Sequence, residues 1–270
     1  MKTIAITGAT SGIGLASARM LAAQGHTIVL GARDAARGAA VVDELRAAGG
    51  RADLLQVDMA SFASIRAAAA ELALRPEPID VLLNNAGVVE SKRSTSVDGF
   101  ETTWAVNVLG PFLLTQVLVP TLERASAPHV VNVGSTAYRI GRIPWDDLQR
   151  EKGRFAGFPA YAQSKLALLM LTREFAKRYP GIVANVVHPG GIATRIWRNA
   201  PAIVRAPLMR FLPGPEVGAA PVVRLAASDE TATGRYYNRF EEQAIVPRAL
   251  DDAACARLWN IVASSTGLDG

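Results

Sequence analysis

Residues 3–14 read Thr3-Ile4-Ala5-Ile6-Thr7-Gly8-Ala9-Thr10-Ser11-Gly12-Ile13-Gly14. Thr3–Thr7 has the β-branched content of a strand, and the chain then enters a glycine-rich turn before a helical pattern begins at Ile13. A strand-to-helix turn of this kind lets backbone N–H groups and the positive end of the helix approach a pyrophosphate with no Cβ in the way. The order Gly8-x-x-x-Gly12-x-Gly14 differs from the Gly-x-Gly-x-x-Gly of the commonest dinucleotide fingerprint. Read alone, the same glycines also suit a tight structural turn.

Outward from this turn, apolar β-rich runs alternate with helical patterns. Strands are expected at Thr3–Thr7, Thr27–Gly31, Ala52–Val57, Asp80–Leu83, His129–Val133 and Ile182–Val187, with a weaker seventh at Gly234–Tyr237. Helical spacing covers Ile13–Ala23, Asp34–Ala48, Ser61–Leu74 and Tyr161–Tyr179; Pro159 suits the start of the last and Pro180-Gly181 its end. The alternation predicts an α/β fold: a single doubly wound (Rossmann) domain over residues 1–270, with a mostly seven-stranded parallel sheet flanked by helices. Residues 190–215 lack a strand pattern and mix apolar side chains with Arg195, Arg198, Arg205 and Arg210, which suggests a substrate lid or, more plainly, a surface excursion.

In open α/β sheets, ligands bind beyond the carboxyl ends of the strands. Arg33, Asp58, Asn84-Asn85-Ala86-Gly87, Ser135 and Pro189-Gly190 each follow a predicted strand there. At the end of the second strand, where a carboxylate often reads the ribose hydroxyls, the chain carries Ala32 and Arg33; an arginine there suits a 2′-phosphate. The reading therefore favours NADP(H) over NAD(H), with Asp34 as ribose ligand the alternative.

Tyr161 and Lys165 are one helical turn apart and share a face. A phenol is a poor base at neutral pH, and a nearby ammonium favours its phenolate, which gives a usable acid/base. Ser135 can donate a hydrogen bond to a substrate oxygen while Tyr161 moves its proton and hydride passes between carbon and nicotinamide. Asn107 is expected either to hold a water behind Lys165 or to bond its own helix backbone. A Ser135/His188 hydrolase is disfavoured, because no Gly-x-Ser-x-Gly elbow surrounds the serine.

Composition narrows the partners. Half of the 270 residues are hydrophobic and 20% are charged, which excludes a disordered chain and leaves enough apolar material for a large core. The excess of 29 Lys+Arg over 24 Asp+Glu is not gathered into a basic run, so no nucleic-acid partner is expected. Cys255 stands alone and His26, His129 and His188 are scattered, so neither a disulfide nor a metal site is expected. The uncharged stretch 102–122 is interrupted by Asn107, Gly110-Pro111, Gln116 and Pro120, which favours a buried helix over a membrane span. With no secretory pattern at the start, a cytoplasmic location is expected. The preference for Arg over Lys and the abundant alanine fit a bacterial source with a GC-rich genome.

Taken together, Thr7-Gly8-x-x-x-Gly12-x-Gly14, Asn84-Asn85-Ala86-Gly87, Asn107, Ser135, Tyr161-x-x-x-Lys165 and Pro189-Gly190-x-x-x-Thr194 resemble the short-chain dehydrogenase/reductase superfamily. The stretches Asn107–Phe112, Ile143–Leu148 and His188–Gly190 are similar to its retinol-dehydrogenase-like and WW-domain-oxidoreductase-like branch. The resemblance implies an NADP-dependent reductase of aldehydes or ketones, or the reverse alcohol dehydrogenase, acting on a small and often lipophilic molecule. It implies catalytic Asn107, Ser135, Tyr161 and Lys165. Cofactor contacts are implied at Gly8, Thr10, Ser11, Gly12, Ile13, Gly14, Arg33, Asp58, Met59, Asn85, Ala86, Gly87, Tyr161, Lys165, Pro189, Gly190, Ile192 and Thr194. Three departures stand out: no animal-type membrane anchor precedes the first strand, residue 134 is glycine where many relatives have serine, and the glycine turn lacks a basic residue before its second glycine. The long interval from Ser135 to Tyr161 predicts a flap at about 138–158 beside a lid at about 190–215. Apolar residues such as Ile192, Trp197 and Phe211 in that lid favour an apolar or aromatic substrate. A non-catalytic NADP-binding sensor or scaffold and a non-redox lyase or epimerase are the alternatives. Whether the chain is a monomer, homodimer or homotetramer is open at this level.

Overall fold

β1 (Thr3–Thr7) is buried along its whole length and pairs in parallel on both sides, with β2 (Thr27–Ala32) and with β4 (Val81–Asn84). In this computed structural model, which describes residues 1–192 and 213–268, the sheet grows outward from that strand. Its order is β3-β2-β1-β4-β5-β6-β7-β8, with β3 at Arg51–Gln56, β5 at His129–Val133, β6 at Val183–His188, β7 at Tyr236–Asn238 and β8 at Glu241–Glu242. All neighbours are parallel except β7 and β8, a short antiparallel hairpin. The sheet thus has eight strands among the described residues where seven were expected; the extra one is two polar residues with no apolar alternation to mark it. The fold is a single α/β domain with a doubly wound, mostly parallel sheet.

Alternation along β1 divides the core. Ile4 and Ile6 face a layer containing α1 (Gly12–Ala23), α2 (Ala35–Ala47) and α8 (Pro215–Ala227), while Ala5 faces the layer of α3 (Phe62–Ala73), α5 (Gly110–Val117), α7 (Gly157–Arg178) and α9 (Asp252–Ser265). α7 starts four residues before Tyr161, and Pro159 lies in its first turn, where a missing N–H costs no intrahelical bond.

The stretch 102–122 is a chain of short pieces: α4 (Thr102–Trp104), a π-helical turn at Ala105–Leu109, α5, and α6 (Val119–Leu122). The prolines explain the breaks. Pro111 has no amide to offer Asn107, and Pro120 has none to offer Gln116. Among the described residues, no helix is long and apolar enough to cross a membrane.

The segment between Ser135 and α7 is strapped down. A 3₁₀ turn over Thr136–Ile140 carries the fully buried Tyr138. Beyond it, Arg150 reaches the Gln163 Oε1 (2.6 Å), Gln163 returns a bond to the Leu148 carbonyl (2.9 Å), and Trp145 lies under the Arg257 guanidinium (4.4 Å). This region is therefore seated on α7 and α9. The remainder of the expected lid, residues 193–212, lies outside the described residues.

α9 closes the α5/α7 layer. Trp259 meets Phe112 edge-on at 4.8 Å and lies beneath the Arg178 guanidinium at 4.6 Å. Trp259→Ala should lower the unfolding free energy by about 3–5 kcal/mol in equilibrium denaturation, the usual cost of an aromatic cavity; a loss under about 1 kcal/mol would show that α9 contributes little to the core.

Candidate active site

The carboxyl ends of β1 and β4 are locked together by backbone bonding. Thr7 Oγ1 accepts the amides of Asn85 and Ala86 (both 3.1 Å), and Asn85 Nδ2 donates to the carbonyls of Thr7 (2.9 Å) and Gly8 (3.2 Å). The approach is so close that a Cβ on Gly8 would stand 2.9 Å from Ala86 Cα, and one on Gly14 would overlap Asn85 Nδ2. Gly8 and Gly12 also take positive φ values of 67° and 57°. Ser11 precedes α1 in extended conformation and its side chain does not cap the helix, nor does the first turn hold an acid. The open amides and positive end of α1 therefore face the turn that Gly8, Thr10, Ser11, Gly12, Ile13 and Gly14 form, the cradle an anionic diphosphate requires.

Arg33 is exposed at the end of β2 and makes no hydrogen bond or ion pair among the described residues. Asp34 is already engaged, since its Oδ1 accepts the Arg37 amide (3.0 Å) and caps α2. Asp58 accepts the Ala60 amide (2.9 Å) in the turn after β3, and Met59 beside it is buried. On the far side, Gly190 turns the chain after Pro189 with φ 97°, and Ile192 packs where a Cβ on Gly218 would also crowd Ile13. Ile192 and Ile13 of α1 thus both border Gly218 of α8. Thr194 lies outside the described residues.

Ser135, Tyr161, Lys165 and Asn107 converge on the edge between β4 and β6. Ser135 Oγ caps the 3₁₀ turn through the Ala137 amide (3.2 Å), and the serine side chain is near enough to the Tyr161 phenol to act on its pKa. Lys165 is buried, its Nζ donating to the Val133 carbonyl (2.8 Å) and lying 5.6 Å from the Tyr161 ring centre. Burial brings this ammonium down to about 8. Tyr161 departs from the expected depression: burial pushes the phenol up, and the Ser135 side chain pulls the other way. Its own surroundings thus keep it protonated at neutral pH.

Asn107 sits in the π-helical turn, and its side chain bonds the loop after β4 and α7 rather than its own helix. Its Oδ1 accepts the Val88 amide (2.9 Å), while Nδ2 donates to the Val88 carbonyl (2.9 Å) and to Ser164 Oγ (3.0 Å), which in turn donates to the Tyr161 carbonyl (2.8 Å). The loop after β4 is thereby joined to α7. A Cβ on Gly87 would come within 3.4 Å of Asn107 Oδ1 and 3.7 Å of Lys165 Nζ, so the Asn85-Ala86-Gly87 turn borders the same space.

Two features escaped sequence reasoning. Gly134 has no room for a side chain, because its Cβ would collide with Val186, which accounts for glycine before Ser135. His188 lies beside the Gly134 backbone, its Nδ1 buried without a partner, and is kept neutral, burial lowering its pKa to about 4 with Lys165 and Arg239 acting in the same direction. Nothing in the spacing of His188 indicates that contact. Among the described residues, no cluster of metal-ligating side chains occurs.

A glycine-built anion cradle and a serine–tyrosine–lysine group on one sheet edge define a nucleotide-dependent oxidoreductase of the doubly wound class. The family model for short chain dehydrogenase matches residues 2–203, and the chain belongs to that family of NAD(P)-dependent oxidoreductases. It is 36% identical to retinol dehydrogenase 14 of Homo sapiens over 99% of this chain and 87% of that protein. It is also 37% identical to a candidate daunorubicin C-13 ketoreductase of Streptomyces sp. (strain C5), over 98% and 93% of the two chains. Among solved structures, a blue fluorescent protein from a metagenomic library in complex with NADPH superposes with a TM-score of 0.69 at 33% identity, covering 88% of this chain and 95% of that one. The retinol-dehydrogenase-like branch inferred from the motifs agrees with these likenesses.

His129 and His188 are both held at about 4 by burial, against an ordinary value of 6.5. Below about pH 6.5 the unfolded chain binds protons that the folded chain refuses until about pH 4, so stability should fall across that interval. The denaturation midpoint should therefore decline on acidification from about pH 7 to pH 4.5, and decline less steeply in a His129→Asn/His188→Asn variant. Identical slopes for the two proteins would contradict the buried neutral state.

Proposed function

We propose that the protein is an NADP(H)-dependent carbonyl reductase, or alcohol dehydrogenase in reverse, acting on an apolar or aromatic aldehyde or ketone. The observation that carries this reading is the Ser135 hydroxyl set beside the Tyr161 phenol with the Lys165 ammonium buried next to them, on the edge where the glycine cradle opens. The cradle fits the diphosphate of a dinucleotide because the α1 N-terminus has no side-chain cap and no acid in its first turn, and the turn leading to it takes positive φ at Gly8 and Gly12. The residues that would hold the dinucleotide are Gly8–Gly14, Arg33, Asp58-Met59, Asn85–Gly87, Tyr161, Lys165 and Pro189–Ile192, with Thr194 by resemblance.

When bound, the reduced nicotinamide supplies a hydride to the carbonyl carbon, which breaks the C=O π bond and leaves the electron pair on oxygen. Ser135 Oγ holds that oxygen by a hydrogen bond that strengthens as negative charge builds there. Tyr161 delivers its phenolic proton to the same oxygen, which suits a group that burial keeps protonated. Lys165 places positive charge behind the ring and stabilises the phenolate that remains, and Asn107 keeps α7 registered with the loop at Val88.

The NADP preference rests on Arg33, which is free at the ribose position while Asp34 is engaged in capping α2. The likeness to a candidate daunorubicin C-13 ketoreductase and to retinol dehydrogenases supports an apolar carbonyl substrate. The segment at about 138–158 and the lid at about 190–215 are assigned as the walls that select it.

Tyr161→Phe should reduce turnover of any carbonyl in an aldehyde and aryl-ketone panel by about 10²–10⁴-fold while NADPH fluorescence titration stays near that of the parent. Undiminished turnover would remove Tyr161 from the chemistry, and tight NADPH binding by a parent that reduces no carbonyl would point to a sensor instead. Arg33→Ala should shrink the NADP over NAD preference by about 10–100-fold, the share of one charge-assisted phosphate contact; an unchanged ratio would transfer cofactor discrimination to another residue.

A further inference from the structure

Ser135 and Tyr161 reach the site from different elements, the 3₁₀ turn after β5 and the first turns of α7, so their separation depends on how that 3₁₀ turn is seated. On one side the turn lies against α7, where a Cβ on Gly141 would collide with the Ala162 carbonyl. Beneath, Tyr138 packs on Tyr236 with ring centres 4.7 Å apart, but both hydroxyls are buried without a partner and supply no polar tether. The turn's closing carbonyls are held from the C-terminal segment. Arg248 Nη1 donates to the Gly141 carbonyl (2.8 Å) and Nη2 to the Arg139 carbonyl (3.0 Å), while Arg139 reaches Gln243 Oε1 (3.1 Å).

A forked guanidinium suits this task, since it satisfies two carbonyls at once and places positive charge at the negative end of a short helical turn. Its own base is fixed. Arg248 belongs to a 3₁₀ turn at Pro247–Ala249 whose buried Ala249 presents its carbonyl to Arg173 of α7 (2.7 Å). A polar path therefore runs from α7 through residues 248–249 to the turn that Ser135 caps.

We propose that Arg248 is a positioning residue of the active site, fastening the Ser135 turn so that the serine hydroxyl meets the substrate oxygen at the distance Tyr161 requires. The inference rests on the reading of Ser135 as the group that holds the carbonyl. Positioning acts on an interaction strongest in the transition state, so its loss falls on kcat more than on KM.

The test compares the parent, Arg248→Ala, Arg248→Lys, Ser135→Ala and the Ser135→Ala/Arg248→Ala double variant. Each is measured by NADPH titration, thermal unfolding and steady-state reduction of 4-nitrobenzaldehyde. Arg248→Ala should lower kcat about tenfold, with KM and NADPH affinity within about twofold of the parent. Arg248→Lys, which can reach one carbonyl but not both, should recover part of the loss. The double variant should be no slower than Ser135→Ala, because the two changes act through one contact. An unchanged kcat in Arg248→Ala, or losses that multiply in the double variant, would overturn the proposal. Should Arg248→Ala not fold, Arg248→Lys alone and with Ser135→Ala supports the same comparison. A Ser135→Ala enzyme as fast as the parent would refute the Ser135 assignment, and this inference with it, so that single variant tells the two failures apart.

Discussion

Everything at the site depends on how closely the turns after β1 and β4 approach each other. Because Thr7 and Asn85 satisfy one another's backbone groups, the Thr7 and Gly8 carbonyls are already engaged, while the start of α1 is left without a side-chain cap. That contact tolerates no side chain at Gly8 or Gly14. Parallel pairing of β1 with β4 places the two turns side by side, so the sheet order and the anion cradle are one constraint.

A second set of bonds ties the chemistry to this frame through main-chain atoms. Asn107 grips both backbone atoms of Val88 and reaches α7 through Ser164, while Lys165 is anchored on the Val133 carbonyl at the end of β5. Tyr161 and Lys165 therefore share a helix that is fixed to β4 and β5 at once. The π-helical turn that presents Asn107 arises where Pro111 leaves the Asn107 carbonyl without its helical partner. Burial then shapes protonation: it keeps the phenol protonated and lowers the Lys165 ammonium to about 8.

Much of this was legible in the chain. The boundaries of β1 and β5 agree residue for residue, those of β2, β3, β4 and β6 differ by one residue, and the glycine turn, Ser135, Tyr161 and Lys165 lie on the expected edge, since a period of two and a helical turn of spacing are local properties. β8 was not legible, being two glutamates whose pairing with Tyr237 and Asn238 is set by a hairpin. The bonds of Asn107 to Val88 were not legible, because Val88 is distant in sequence. The Tyr161 shift was read from neighbouring charges, that of an oxidised nicotinamide included, whereas among the protein's own groups desolvation has the larger effect.

Alternating patterns, glycine placement and one tyrosine–lysine turn were enough to establish a doubly wound sheet and the edge on which its ligand lies. Local sequence carries backbone conformation and side-chain phase, and those suffice for elements and their order. Which backbone carbonyl holds Lys165, why residue 134 must be glycine and what secures the Ser135 turn were decided by the folded chain. Each is a contact between residues far apart in sequence, and distance in space is the one quantity that periodicity does not contain.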